Sequence, residues 1–350
     1  MELGSNFEID ISNLQYVEDN IYQYLHNYHT IYLDSGRSAI RVLNKILQKG
    51  VIILPFYICS SVIKNYEKDF SIRFYKVKKD FSIDLEDLES KLDTKVTVVY
   101  VMNYFGEIQD NRILEFLREK KKEYGFTIVE DTTHSIFTNP NVIGDYCICS
   151  LRKWFPVPDG GVLYSTIELN HDLLQDTLEK NSALKLEAMI LKKWYIEKKV
   201  QCNAIYRDIF EKEEHQLDMQ EKVYQISAIS QRLFQCFSVN EMIQKRKKNY
   251  QELKAFLTTN GFENILKTEE MIPIAYPIYI KGRDRFRTYL IEHQVYCAVH
   301  WPLEGIEHED YEEAEDISRN IISLPIDQRY DKKHMKYLEE VIKQYDGEKS

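Results

Sequence analysis

Two acids, a lysine and a glycine pair stand in order between residues 126 and 161, FTIVEDTTHSIFTNPNVIGDYCICSLRKWFPVPDGG. An apolar run at 126–129 closes on Glu130 and Asp131. A second run, at 146–149, leads into Ser150, Leu151, Arg152 and Lys153, and the segment ends on Gly160 and Gly161. A carboxylate at one strand end and an amine just past the next suit one chemistry well. The lysine can hold an aldehyde cofactor as a Schiff base, while the acid keeps the cofactor's ring nitrogen protonated. An opposite charge favours the charged form of a titrating group, which is the task Asp131 would have at a pyridine nitrogen. The lysine must spend part of its cycle as a neutral amine, which partial burial near another cation allows, and Arg152 is next to it. The cofactor with these needs is pyridoxal 5'-phosphate.

Each residue alone has a plainer reading. An Asp after an apolar strand is a common helix N-cap, and Thr132 and Thr133 would suit a cap too. A lone lysine carries no information. The combination carries the inference, together with the elements that must position it.

Those elements alternate. Short apolar runs at 51–54, 71–77 and 96–102 are separated by helical patterns at 39–47, 85–92 and 113–124, so the first half predicts an α/β fold with a mostly parallel central sheet flanked by helices. Asp131, at the end of such a strand, sits where ligands of open α/β sheets bind. Ser35 and Gly36 make a turn before a helix, whose free first-turn N–H groups and positive dipole end suit a phosphate. Residues 12–28 read as a helix leading into the fold, and 170–258 as almost wholly helical. A smaller α+β part follows Gly261, with strands at 273–280, 295–301 and 321–325, helices at 283–293, 312–320 and 332–345, and a frayed tail at 347–350. The expected division is an N-terminal segment at 1–29, a large cofactor-binding domain with a helical extension at 30–258, and a small C-terminal α+β domain at 259–350.

The net charge of −10 and a pI near 5.5 argue against a general binder of nucleic acid or anionic membranes. No run approaches the length of a membrane span, and the start, MELGSNFEIDISN, lacks a secretory pattern. Cys59, Cys147, Cys149, Cys202, Cys236 and Cys297 show neither zinc nor redox spacing, so reduced thiols in a cytoplasmic protein without a metal are expected.

On Glu130, Asp131, His134, Ser150, Lys153, Gly160 and Gly161 the chain resembles a divergent branch of the DegT-type sugar aminotransferases, which belong to the fold-type-I pyridoxal phosphate enzymes. That family has an E-D-x-x-Q/H motif, then a serine, the Schiff-base lysine and G-G. Here the serine and lysine stand closer together, and His134 replaces the usual glutamine. The resemblance extends from about residue 30 through V-H-W-P-L to S-L-P-I-D. It implies that Gly36, Arg37, Ser38 and Ala39 bind the cofactor phosphate, mainly as backbone donors, with Ser150. It also implies that an aromatic, Tyr57 or else Phe56, stacks on the ring, and that Asn103, Tyr104, His300 and Trp301 face the substrate. His134 would bond the ring hydroxyl or help hold Asp131. The family's G-x-N-x-R element is missing, with Gln225 or Ser227 as replacements.

The function so implied is a cytoplasmic homodimeric aminotransferase. It moves an amino group from an amino acid, glutamate by the resemblance, to a nucleotide-linked keto-sugar in polysaccharide or secondary-metabolite synthesis. One alternative keeps the cofactor and takes a small phosphorylated or other non-sugar ketone. Another is a non-catalytic binding or scaffold protein of the same fold, against which Lys153 argues.

Overall fold

The computed structural model describes residues 1–170, 177–303 and 310–347. In chain order come β1 (Leu3–Gly4), α1 (Ile21–Tyr24), β2 (His29–Leu33), α2 (Gly36–Ile46), β3 (Val51–Pro55), α3 (Ser60–Tyr66), β4 (Ser71–Tyr75) and α4 (Leu85–Lys91). Then follow β5 (Val96–Met102), α5 (Asn111–Tyr124), β6 (Thr127–Asp131), β7 (Tyr146–Cys149) and β8 (Gly161–Ser165). Helices α6 (Glu179–Ile196), α7 (Asn203–Met219), α8 (Ala228–Phe234) and α9 (Val239–Thr259) come next. The last part holds β9 (Tyr276–Tyr279), α10 (Arg283–Glu292), β10 (Val295–Tyr296), α11 (Glu312–Asn320), β11 (Ile321–Leu324) and α12 (Lys332–Lys343).

Two compact units emerge. One combines Ser5–Ile46 with Ile148–Met242, and the other combines Glu2–Gly4, Leu47–Cys147 and Ile243–Ser350. β7 is shared out between them, Tyr146 and Cys147 to the second and Ile148 and Cys149 to the first.

The second unit contains the parallel strands, in the order β7-β6-β5-β3-β4, with β3 parallel to both β4 and β5 and β5 parallel to β6. β3 is VIILP and β5 is VTVVYVM, both buried nearly throughout, as continuous β-branched runs in the middle of a parallel sheet should be. Helix boundaries are set by caps. The Asp84 carboxylate accepts the Asp87 N–H ahead of α4, and Asp110 accepts that of Ile113 ahead of α5. Gly125 ends α5 in the left-handed region (φ 77°), which lets the chain turn directly into β6 and bring Asp131 to its end. In the C-terminal part β9 and β11 pair antiparallel, and β10 pairs with β1 from the N-terminus. Gly4 is required in β1: at φ 81° a Cβ would lie 1.9 Å from the Tyr296 carbonyl oxygen.

In the first unit β2 and β8 run antiparallel, β8 lies next to β7, and α2 packs on both β2 and β8. α6 packs against α7 and α8.

Three expectations are corrected. Residues 12–28 hold only the short α1, because the preceding polar groups bond locally: the Ser12 N–H and hydroxyl both go to Asp10, and Asn20 caps α1. The strand expected at 295–301 stops at Tyr296, since its partner β1 is two residues long. The strand expected at 273–280 is confined to Tyr276–Tyr279. Most of the frayed tail, and 171–176 of the helical stretch, lie outside the described residues. No helix among those residues is long and apolar enough to cross a membrane, and none of the six cysteines is in a disulfide.

Candidate active site

In the first unit the start of α2 is built by close backbone approach. A Cβ on Gly161 would lie 2.2 Å from the Ser35 carbonyl, so only glycine lets β8 run against this turn. The Gly160 N–H donates to the Asp34 carbonyl at 2.7 Å, and a Cβ on Gly36 would come within 3.1 Å of the Ser150 Cβ. Gly36, Arg37, Ser38, Ala39, Ser150, Gly160 and Gly161 are thus gathered around one helix start. Ser35 caps it: its hydroxyl accepts the Ser38 N–H at 3.1 Å and its carbonyl accepts that of Ala39 at 3.2 Å. The amides of Ser38 and Ala39 are therefore used within the helix, while those of Gly36 and Arg37 have no acceptor among the described residues.

The Arg37 guanidinium is directed elsewhere, to Glu214 at 2.9 Å and Asp218 at 2.8 Å on α7. Arg152 reaches Glu213 on the same helix at 3.4 Å, and Lys185 on α6 reaches Glu213 at 2.7 Å. Burial, aided by the Arg152 charge, pushes the Lys185 ammonium down to about 8. Burial pushes the Glu214 carboxyl up, but Arg152, Arg37 and Lys185 outweigh it and bring the group to about 2. Half of the Glu214 side chain is open to solvent, which screens part of this attraction. The acidic row on α7 was not singled out in the sequence. Its only signal there was EKEEHQLD within a helical pattern.

Lys153 closes one 3-10 turn, Leu151–Lys153, that follows Ser150, and its N–H donates to the Ser150 carbonyl at 3.3 Å. Leu151 and Trp154 anchor the turn in the core, Arg152 goes to α7, and the Lys153 side chain is exposed. Lys153 is thus more exposed than the partial burial expected for it. Ser227 caps α8 and bonds Asp159, while Gln225 bridges to Leu33 and Thr177.

In the second unit the pleat of β6 sends Glu130 and Asp131 to opposite faces. Glu130 is fully buried. One of its oxygens accepts the N–H groups of Val142, Ile143 and Gly144 at 2.9–3.0 Å, and the other accepts the Asn103 amide at 2.8 Å. Burial pushes its carboxyl up, against those bonds. Asp131 receives the Tyr100 hydroxyl on Oδ2 at 2.7 Å and the Thr133 N–H on Oδ1 at 2.9 Å. Nothing in the sequence marks Tyr100, because β5 is buried on both faces and no alternation separates a working side chain from a packing one.

The remaining expected residues of this unit form an aromatic cluster. The Tyr104 hydroxyl donates to the Tyr57 carbonyl at 2.6 Å, and the Trp301 ring lies 5.5 Å from Tyr57 and stacks on His134 at 5.4 Å. His134 is buried, with Nδ1 accepting the Phe105 N–H at 3.4 Å, and His300 Nδ1 bonds the Ser323 hydroxyl at 2.8 Å. Asn103 is turned inward, its carbonyl taking the Gln109 N–H at 3.2 Å. Phe56 stacks on Tyr311 at 3.8 Å, so Phe56 packs in the core, and Tyr57 is the one of the two beside Tyr104 and Trp301.

No protein-family profile matches the chain, and no curated protein is similar enough to count as a relative. Solved structures do match. Spr1654 of Streptococcus pneumoniae, assigned as a sugar aminotransferase and solved in its PMP form, aligns with a TM-score of 0.66 at 16% identity over 92% of this chain and 88% of that one. Helicobacter pylori PseC, an aminotransferase involved in the biosynthesis of pseudoaminic acid, gives 0.65 at 14% identity over 92% and 88%. A DegT DnrJ EryC1 StrS aminotransferase of Brucella abortus gives 0.64 at 14% over 94% and 88%. The likeness spans nearly the whole chain, and the chain has the fold of the DegT-type sugar aminotransferases.

Proposed function

We propose that the protein is a pyridoxal phosphate-dependent aminotransferase. It takes an amino group from an amino acid, glutamate by the resemblance, and delivers it to the carbonyl carbon of a nucleotide-linked keto-sugar, in polysaccharide or secondary-metabolite synthesis. The observation that carries this reading is Asp131, a buried carboxylate at the C-terminal end of a parallel strand, held by two donors in a fold shared with sugar aminotransferases. The reading takes the working assembly to be a cytoplasmic homodimer, as the resemblance in sequence implies.

Each unit, taken by itself, holds residues that suit one part of the cofactor. A carboxylate accepts up to about four hydrogen bonds, so two donors leave Asp131 room for a ring N–H. Helix α2 offers two uncommitted amides for a phosphate, beside Ser150. Bound pyridoxal phosphate supplies an electron sink for the carbon that loses its proton. Asp131 holds the ring-nitrogen proton in place. Lys153 would hold the cofactor through its aldehyde and, once displaced by the incoming amino donor, would accept and return the substrate proton as a free amine. Tyr57 would pack on the ring and His134 would bond the ring hydroxyl, while Asn103, Tyr104, His300 and Trp301 would bound the substrate side.

The test is spectroscopic. Protein reconstituted with pyridoxal phosphate should be yellow and its absorbance band should move on adding glutamate. Lys153→Ala should lose both properties. Turnover of keto-sugar nucleotides, set against small phosphorylated ketones, then identifies the acceptor. Protein that stays colourless after reconstitution overturns the reading.

A further inference from the structure

Around Asp131 the second unit carries a set of tyrosines that the scheme above leaves without a task. β5 and β6 are in parallel register with Val129 opposite Tyr100 and Asp131 opposite Met102. Tyr100 and Asp131 are therefore diagonal neighbours on one face of the sheet, a separation that a phenol spans. The hydroxyl meets Oδ2 at 2.7 Å, while the Thr133 N–H fixes Oδ1 at 2.9 Å. Tyr100 is itself fixed. Its carbonyl takes the Tyr75 hydroxyl at 3.1 Å, and its ring meets that of Tyr66 edge-on at 5.9 Å. Tyr66, from α3, is fully buried, and its hydroxyl has no hydrogen-bond partner among the described residues.

Resting on the reading of Asp131 as the partner of the cofactor nitrogen, we propose that Tyr100 is a positioning residue. Its hydroxyl, with the Thr133 amide, locks both oxygens of the Asp131 carboxylate so that the remaining lone pairs face a ring N–H, and it thereby sets the preference for a nitrogen-containing ring. Without that hydroxyl one oxygen is held and the other is not, so the carboxylate is free to rotate about its terminal torsion, which is broad and unhindered by itself. A phenol suits the task because it cannot become a competing anion here. Burial first, and then the charge of Asp131, raise the Tyr100 hydroxyl well above its ordinary value, so it stays a donor. Among the described residues, Tyr66 on α3 and Tyr104 just past β5 also feel the Asp131 charge, and both are phenols raised by burial.

The experiment compares the binding of pyridoxal phosphate with that of its analogue in which carbon replaces the ring nitrogen, each titrated into full-length apoprotein. Tyr100→Phe should weaken pyridoxal phosphate by roughly tenfold, the scale of a hydrogen bond to a charged group, and the analogue by less than about twofold. In an Asp131→Asn background, Tyr100→Phe should no longer change the ratio of the two. Equal weakening of both ligands, or of neither, overturns the role of Tyr100 while leaving the cofactor assignment standing. Wild-type protein that binds neither ligand overturns the cofactor assignment and this role with it. Should Tyr100→Phe fail to fold, carbon-13 tyrosine placed at position 100 of the wild-type chain reports instead. The resonance of its hydroxyl-bearing carbon should move with pyridoxal phosphate and stay put with the analogue, and equal movement sinks the proposal.

Discussion

Ser227 holds Asp159 by both oxygens: its hydroxyl donates to Oδ1 at 2.7 Å and its N–H donates to Oδ2 at 3.0 Å. The same hydroxyl accepts the Ser230 N–H at 3.2 Å as the cap of α8. Burial nevertheless dominates and pushes the Asp159 carboxyl up to about 6, against the Ser230 and Ser227 bonds. A raised folded-state value means that the native protein binds the extra proton. The stability from this group is complete below about pH 4, the unfolded value, and is lost as pH rises through about 6. The loss should be about 2–3 kcal/mol. Denaturant titrations at pH 4.5 and 7 should show that decline in the wild type and a flatter profile in Asp159→Asn. Identical profiles would refute the raised value.

Lys153→Ala should separate chemistry from folding. The side chain is exposed, so its removal should leave the melting temperature almost unchanged, within about 0.5 kcal/mol of stability. Amino transfer should fall by about 10²–10⁴-fold or more, since the proton shuttle goes with it. A variant that loses its fold together with its activity would point to a structural lysine instead.

Gly161→Ala should do the reverse. Its Cβ would sit 2.2 Å from backbone atoms of Ser35, which cannot swing aside as a side chain could. A cost of about 1–3 kcal/mol is expected, read by chemical denaturation. Weaker binding of pyridoxal phosphate should accompany it, because the start of α2 is what gets displaced. A neutral substitution would mean that this turn yields more easily than its contacts imply.

The thiols should react in two classes. Cys59 and Cys236 are partly exposed, while Cys147, Cys149, Cys202 and Cys297 are buried. Burial pushes the Cys297 thiol up to about 12, which further suppresses its thiolate. Titration with a chromogenic disulfide should find two fast thiols in native protein and the rest only after unfolding.

Much of the first half was readable because parallel strands advertise themselves. β5 lies at Val96–Met102, as the β-branched run there predicts, and β6 ends on Asp131. What escaped depends on partners distant in the chain. Nothing near Leu3 announces that it will pair with Val295, and nothing in EKEEHQLD says that Glu214 and Asp218 will face Arg37. Tyr100 was hidden for a different reason: inside a strand buried on both sides, a tyrosine that bonds an acid and one that fills space look alike. The exposure of Lys153 was not legible either: the short serine-to-lysine spacing is visible, but the 3-10 turn with Leu151 and Trp154 buried on either side of it is a feature of the fold.

Glu130 gathers three consecutive amides of the 142–144 loop on one oxygen, a hold that a glutamine could not reproduce without pointing a donor at donors on one side or the other. Its neighbour Asp131 holds a single backbone amide, that of Thr133. A descendant that had abandoned catalysis would therefore be free to drift at 131 while remaining bound to its acid at 130, and that asymmetry is the mark by which a retired copy of this protein could be told from a working one.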